Sequence, residues 1–241
     1  MTNKERFTFA TEAADLRDGG IGTLSEKPLH RIIKCYIEPD RILHEVELCG
    51  CVVDVFNGEE VFEIQTGGFY PLKKKLERLL PEYKVTVVRP VIAEKRLIWI
   101  NKESGETTDP KKSPRKERLT DILPELTRLG DLFPHPNLGI KLIFVSADEF
   151  KYLDGYGESK KRGATKVMRF PRELISETEI STAEDISAML PELPSPFRAS
   201  ELQSALRLRG RRGFFVLRLL MRLGVVERVG KEKNTYLYMK R

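Results

Sequence analysis

The sequence is poor in the residues that make cross-links and metal sites. Its 241 residues include 3 cysteines, 3 histidines and 1 tryptophan. Cys35, Cys49 and Cys51 supply no disulfide framework, and a C-x-C without a second pair lacks the four ligands of a structural zinc site. Cys49 and Cys51 share a face of one strand or flank a turn at Gly50, and buried free thiols in a reducing cytosol are expected. Long apolar runs are missing too: "LGIKLIFV" and "FFVLRLLM" are far too short to span a bilayer. "MTNKERFTFATEAADLRDGG" has no signal-like apolar segment, and no internal repeat is visible. These absences predict a soluble, cytoplasmic protein with no membrane partner and no disulfide scaffold.

Charge, by contrast, is plentiful and unevenly placed. The net balance is +6. From Pro196 to Arg241 there are 12 Lys and Arg against 3 Asp and Glu, a balance of +9, which leaves −3 for residues 1–195. A basic segment on an otherwise acidic chain points toward nucleic acid.

The length allows one large domain, or a medium domain with a small one. Residues 1–20 read as a flexible N-terminus. "TLSEKPLHRIIKCYIEPD" then has helical spacing in Leu29, Ile32, Ile33 and Tyr36, with Thr23 or Ser25 as cap. "ILHEVELCG", "CVVDVF" and "EVFEIQT" read as strands, the last two joined at Asn57-Gly58. "FYPLKKKLERLL" is an amphipathic helix, and "KVTVVRPVI" and "KRLIWI" are two further strands. Residues 101–119 read as a mobile polar loop, "DILPELTRL" as a helix, "GIKLIFV" as a strand and "SADEFKYLD" as a helix capped by Ser146. "GYGESKKRGATK" is a basic loop. The acidic, then proline-rich stretch 181–195 reads as a linker between a domain at 21–180 and a second at 196–241.

The stretch "VFEIQTGG" carries an acid and an amide two residues apart, so in a strand Glu63 and Gln65 leave the same face. With a two-residue turn, Phe56 pairs with Glu59 and Asp54 with Val61, so Asp54, Glu63 and Gln65 line one patch. Two converging carboxylates repel unless a cation lies between them, and oxygen ligands of this kind suit Mg²⁺ or Mn²⁺. The alternative is an exposed hairpin whose outer face is acidic. His30 lies near the same patch, and either His44 or Glu45 shares the Asp54 face. In "LKKKLE", Lys75 flanks the inward side and Lys74 points away, although a solvated basic face explains the run equally.

The order helix, three-strand meander, helix, strand, with Asp54 on the second strand and "EIQ" on the third, resembles the PD-(D/E)XK nuclease superfamily, with the Holliday-junction resolvase and Mrr-like arrangements nearest. The resemblance covers roughly residues 22–92 and implies a restriction endonuclease-like α/β fold, a mixed sheet flanked by helices. It implies an acid on the first helix at Glu26, metal-binding carboxylates at Asp54 and Glu63, and Gln65 at the place of the superfamily's lysine. In some members that lysine has moved to the following helix, which makes Lys75 its counterpart here. Implied with these are a Mg or Mn cofactor and phosphodiester hydrolysis. "GTLSEKPLH" with "EIQTGGF" also resembles an uncharacterised bacterial family.

In the tail, "ASELQSALRL" and residues 211–223 read as two helices around "RGR", ending at Gly224. "VVERVG" and "TYLYMK" are two strands joined by "KEKN". This order resembles a small winged helix–turn–helix domain. Phe214, Leu217, Leu220 and Met221 form an apolar face on the second helix, with Arg211, Phe215, Arg218 and Arg222 opposite. Such an arginine stripe suits a recognition helix. Arg209 and Arg212 flank the helix start, and Lys231 and Lys233 sit at the wing tip. The expected partner is DNA, with a homodimer possible. The reading is a metal-dependent DNA-processing nuclease targeted by its tail. Its alternative is a catalytically inactive nuclease-like protein that binds DNA as a regulator or docking platform.

Overall fold

The computed structural model describes residues 1–14, 27–154 and 165–241, which form an α/β fold. One seven-stranded sheet runs β1-β2-β3-β4-β6-β7, with β5 paired to β4, and a second sheet of three strands runs β8-β10-β9. The chain divides into two compact units. The first comprises Met1–Thr66, Val87–Glu117 and Lys141–Thr178; the second comprises Gly67–Thr86, Arg118–Ile140 and Glu179–Arg241.

In the first unit two helices cover one sheet face. Helix α1 (Asn3–Ala13) occupies residues expected to fray. It starts in a capping box: Glu5 N donates to Thr2 Oγ1 at 3.3 Å and Thr2 N to Glu5 Oε2 at 2.6 Å. Phe7, Ala10 and Ala14, spaced by three and four, are each 1% exposed, so a narrow stripe with one large side chain suffices to dock it. Helix α2 (Pro28–Ile37) begins with proline in its first turn; the caps expected at Thr23 and Ser25, and Glu26, lie outside the described residues. Phe7 meets Tyr36 edge-on at 5.4 Å, and Leu29, Ile32 and Ile33 join them in the core. That core is closed below by Val55, Ile64, Val88, Ile92, Val145 and Leu174 of the sheet.

Strands β1 (His44–Leu48) and β2 (Cys51–Phe56) form a hairpin with Leu48 opposite Cys51. Its two-residue turn, Cys49-Gly50, has φ of 48° and 67°, the left-handed pair that matches strand twist. Cys49 is therefore exposed at a turn and only Cys35 is buried, which corrects the expectation of buried thiols throughout. Strand β3 (Glu60–Ile64) follows β2, and helix α3 (Lys73–Leu79) precedes β4 (Lys84–Ile100).

β4 is one strand of 17 residues, not two, and Pro90 sits within it. Gln65 N donates to Val88 O, and Ile92 bonds Glu117 through both its N–H and its carbonyl. Residues 88, 90 and 92 point the same way along the pleat. Pro90 thus falls in the gap where β3 has ended and residue 117 has not yet begun, so its missing N–H removes no ladder bond. The 101–119 loop folds back on the same strand, where β5 (Lys111–Lys112) pairs with Leu97 and Arg96.

β6 (Leu138–Tyr152) also outruns its sequence reading: "SADEFKY" continues the strand instead of forming a helix. The alternation Ile143, Val145, Ala147 runs on to Glu149, which is 1% exposed. A carboxylate at a core-facing position hid the period-2 signal. β7 (Lys166–Ile180) completes the sheet.

The second unit holds α3, α4 (Leu123–Leu129), α5 (Ala183–Met189), β8 (Phe197–Arg198), α6 (Ala199–Ala205), α7 (Arg211–Arg222), β9 (Val226–Glu232) and β10 (Thr235–Lys240). The stretch 181–195, expected as a linker, contains α5, started by a Thr182–Asp185 capping box and anchored by buried Ile186. Residues 196–241 pack with the rest of this unit: α4 lies against α7, and Arg118 donates to Leu206 O at 2.9 Å. Among the described residues no helix is long and apolar enough to cross a membrane.

Candidate functional site

The β2–β3 hairpin brings the predicted acids together by a different register from the one expected. Its loop is residues 57–59, held as Asn57 Oδ1 accepts from Glu59 N at 3.0 Å and Glu60 N at 2.8 Å. Phe56 therefore pairs with Val61, and Val55 with Phe62. The shift from the predicted pairing is two residues. An even shift keeps every side chain on its face. It moves Asp54 from a position diagonal to Glu63 to the position across from it.

There the two carboxylates take hydrogen bonds from the opposite strand. Asp54 N donates to Glu63 Oε1 at 3.3 Å, and Ile64 N donates to Asp54 Oδ2 at 2.7 Å. Glu63 is 3% exposed, so its charge sits in a medium where a neighbouring carboxylate is felt strongly. His30, on the first turn of α2, brings Nε2 to 3.4 Å from Asp54 Oδ2. Gln65 is half-buried and directly follows β3, two residues after Glu63. Asp54, Glu63 and His30 thus form one corner of the first unit, with Gln65 next along the chain.

Glu26 is outside the described residues. Lys75 is half-buried on α3, in the second unit, with Lys74 exposed beside it. The β1–β2 register, His44 opposite Val55 and Val46 opposite Val53, sets Glu45 across from Asp54, where it pairs with buried Lys34 at 3.0 Å, while His44 contacts Glu38 O at 2.8 Å. Among the described residues no group of three His, Cys, Asp or Glu side chains is arranged to hold a metal ion.

A family model described as "Domain of unknown function (DUF8091)" matches residues 27–181 of this chain. The chain belongs to the DUF8091 family. It is similar to an uncharacterized protein of Treponema pallidum (strain Nichols), with 32% identity over 223 residues, covering 91% of this chain and 87% of that protein. No solved structure matches. The DUF8091 stretch contains His30, Asp54, Glu63, Gln65 and Lys75, while the basic tail lies beyond it.

In the tail, the helices and hairpin fall where the residues predicted them, but α7 is rotated. Its buried side is Gly213, Val216, Leu217, Leu219 and Leu220. Phe214 and Met221, expected inside, are 54% and 40% exposed. The reason lies in the helix's neighbours. Gly213 faces Gln203 of α6 so closely that a Cβ there would overlap its side chain, and α4 covers the flank bearing Leu219. The outer face therefore carries Arg211, Phe214, Phe215, Arg218 and Met221, with the Arg218 guanidinium 5.9 Å from the centre of the Phe214 ring.

Arg222 is withdrawn from that face. Its guanidinium meets Asp131 at 2.6 Å and Phe133 O at 2.8 Å. A cleft of about 380 Å³ lined by Thr127, Asp131, Phe215 and Arg218 adjoins this pair. Lys231 is in β9 opposite Tyr236, not at the hairpin tip; the turn is Lys233-Asn234, with Lys233 at φ 52°. Arg209, Arg211 and Arg212 are exposed around the start of α7.

Proposed function

We propose that this protein is a metal-dependent nucleic-acid-processing phosphodiesterase whose basic tail contributes to substrate binding. The observation that carries the reading is the pair Asp54 and Glu63, set opposite each other with Glu63 buried. Mg²⁺ and Mn²⁺ are bound in proteins by one or two carboxylates, with waters and substrate phosphates filling the octahedron. Two like charges in a half-closed corner are the donor set such an ion fits. Asp54 and Glu63 would hold it, and bound there it would supply Lewis-acid stabilisation of phosphate oxygens and a more acidic water.

The chain's own residues have narrower roles. The Ile64 amide and His30 fix the Asp54 carboxylate, and the Asp54 amide fixes Glu63. Gln65 positions a water by hydrogen bonding but adds no charge. Arg211 and Arg218 on α7, with Lys231 and Lys233 on the hairpin, bind phosphates of DNA. The element order of residues 28–100, one helix, three strands, a helix and a strand, supports the likeness to PD-(D/E)XK nucleases.

A second reading is favoured by Gln65 itself. With no lysine at that place, the domain serves as a catalytically inactive nucleic-acid-binding platform. Cleavage of plasmid and single-stranded DNA in Mg²⁺ and in Mn²⁺ separates the two. Cleavage lost in both Asp54→Ala and Glu63→Ala, and retained or raised in Gln65→Lys, supports the active reading. Cleavage unchanged in both alanine variants overturns it.

A further inference from the structure

A second cluster of charge in the first unit is built on the opposite plan. Glu149 of β6 is 1% exposed and is approached by four cations. Arg169 Nε lies 2.7 Å away, Lys95 Nζ 3.3 Å, Lys151 Nζ 3.4 Å and Lys166 Nζ 3.8 Å. Lys95 comes from β4, Lys151 from β6, and Lys166 and Arg169 from β7, so three strands feed one point. Among the described residues one further acid, Glu117, is paired with these cations, 4.0 Å from Arg169, and it is already engaged by the Ile92 amide.

Neutralising one buried carboxylate takes one cation. Four cations against Glu149 and Glu117 leave an excess of +2 on a single patch, where like charges repel. The crowding acts on Lys166: burial first, then Arg169, Lys95 and Lys151, lower its proton affinity against the pull of Glu149. The cations are not sealed in, since the side chains of Lys151 and Arg169 are 24% exposed and that of Lys166 is 48% exposed. On the same side of β4, four residues along from Lys95, stands Trp99, with the Lys151 ammonium 5.7 Å from its ring centre.

We infer that this face binds single-stranded nucleic acid, with Lys151, Lys166 and Arg169 taking backbone phosphates and Trp99 taking a base. Glu149 holds the cations in place without cancelling them. An aromatic ring set among the cations separates a nucleotide chain from a free anion: phosphate oxygens meet ammonium and guanidinium, and the base meets the ring. Duplex DNA offers no unstacked base to Trp99, so a single strand is the better fit. The inference goes beyond the phosphodiesterase reading, because this binding needs no metal ion.

Trp99 is the sole tryptophan, so its emission reports this face alone. The full-length protein is titrated with oligothymidylate in EDTA, which keeps any failure of metal-dependent cleavage from affecting the result. The expected result is quenching of Trp99 emission that saturates together with the anisotropy of a labelled copy of the same oligonucleotide. Lys151→Ala combined with Lys166→Ala should flatten the slope of log K against log salt by about 1.4, two single-strand phosphate contacts. Arg211→Ala combined with Arg218→Ala should leave the quenching amplitude unchanged. Emission that stays constant while anisotropy saturates places binding elsewhere and overturns the inference, with no variant needed. Equal salt slopes in wild type and the folded lysine variant overturn it too. Equal quenching by inorganic phosphate at matched phosphate concentration makes the face a free-anion site and overturns the nucleic-acid assignment.

Discussion

Glu63 and Glu149 are both buried carboxylates of the same sheet, 3% and 1% exposed, yet their surroundings are opposite. Glu63 takes a main-chain amide and faces another carboxylate. Glu149 gathers four cations from three strands. A buried charge is costly unless compensated, and the two corners gather side chains of different charge. The first sets two carboxylates across from one another, the donor set we propose for a cation. The second has a surplus, which favours an anion. Burial alone says nothing about what a carboxylate does; the sign of the residual charge around it does.

The sharpest way to break this comparison is to remove each charge. Glu149→Ala should destabilise the fold by about 3 kcal/mol, because it leaves the half-buried Lys95 and Arg169 facing other cations without their shared counter-ion. Urea denaturation measures this. The pH dependence carries the same signature. Burial raises the proton affinity of Glu149, but the Arg169 bond and the charges of Arg169, Lys95 and Lys166 outweigh it and hold its pKa at about 2. A carboxyl lowered in the folded state stabilises fully above its ordinary value near 4.5 and loses that contribution as pH falls toward 2. The stability gap between wild type and Glu149→Gln should therefore narrow across that window.

Glu63→Gln should have a much smaller effect. Gln keeps an acceptor for the Asp54 amide while removing one of two facing carboxylates, so stability should change by no more than about 1 kcal/mol. Mn²⁺ at one hundred times its dissociation constant should stabilise wild type by about 2.7 kcal/mol and the variant much less, read as a shift in melting temperature. A variant that unfolds as readily as Glu149→Ala would show that Glu63 is structural in the same sense.

A smaller effect is expected on α7. Arg211→Ala with Arg218→Ala should flatten the salt dependence of duplex binding by about 1.8, two phosphate contacts. Arg222→Ala should leave that slope unchanged, since its guanidinium is held by Asp131 and Phe133. Its cost to stability should stay below about 1 kcal/mol, as Asp131 is fully solvated. An equal loss of slope for Arg222→Ala would mean that the Asp131 pair opens on binding.

Much of the α/β order was legible in local pattern. Period-2 and period-3.6 spacing, the Cys49-Gly50 turn and the Gly224 stop place α2, β1–β3, α3, α4, α6, α7 and the final hairpin. That Asp54 and Glu63 share a face was legible as well, though not their pairing, because strand alternation survives an even change of register. Other features depended on partners distant in sequence. Strand β6 carries Glu149 where the pattern demands an apolar residue, and only Lys95, Lys151, Lys166 and Arg169 make that position tolerable. Pro90 interrupts β4 in sequence but not in space, because the neighbouring strand has ended there. Helix α7 turns its Phe214 outward because α6 and α4 claim the other sides. What the amino-acid sequence determined by itself were the local conformations, whose causes lie within a few residues. Which side chains are buried, and which charges are compensated, was decided by the tertiary structure, because burial and charge compensation are set by neighbours that the chain brings together only on folding.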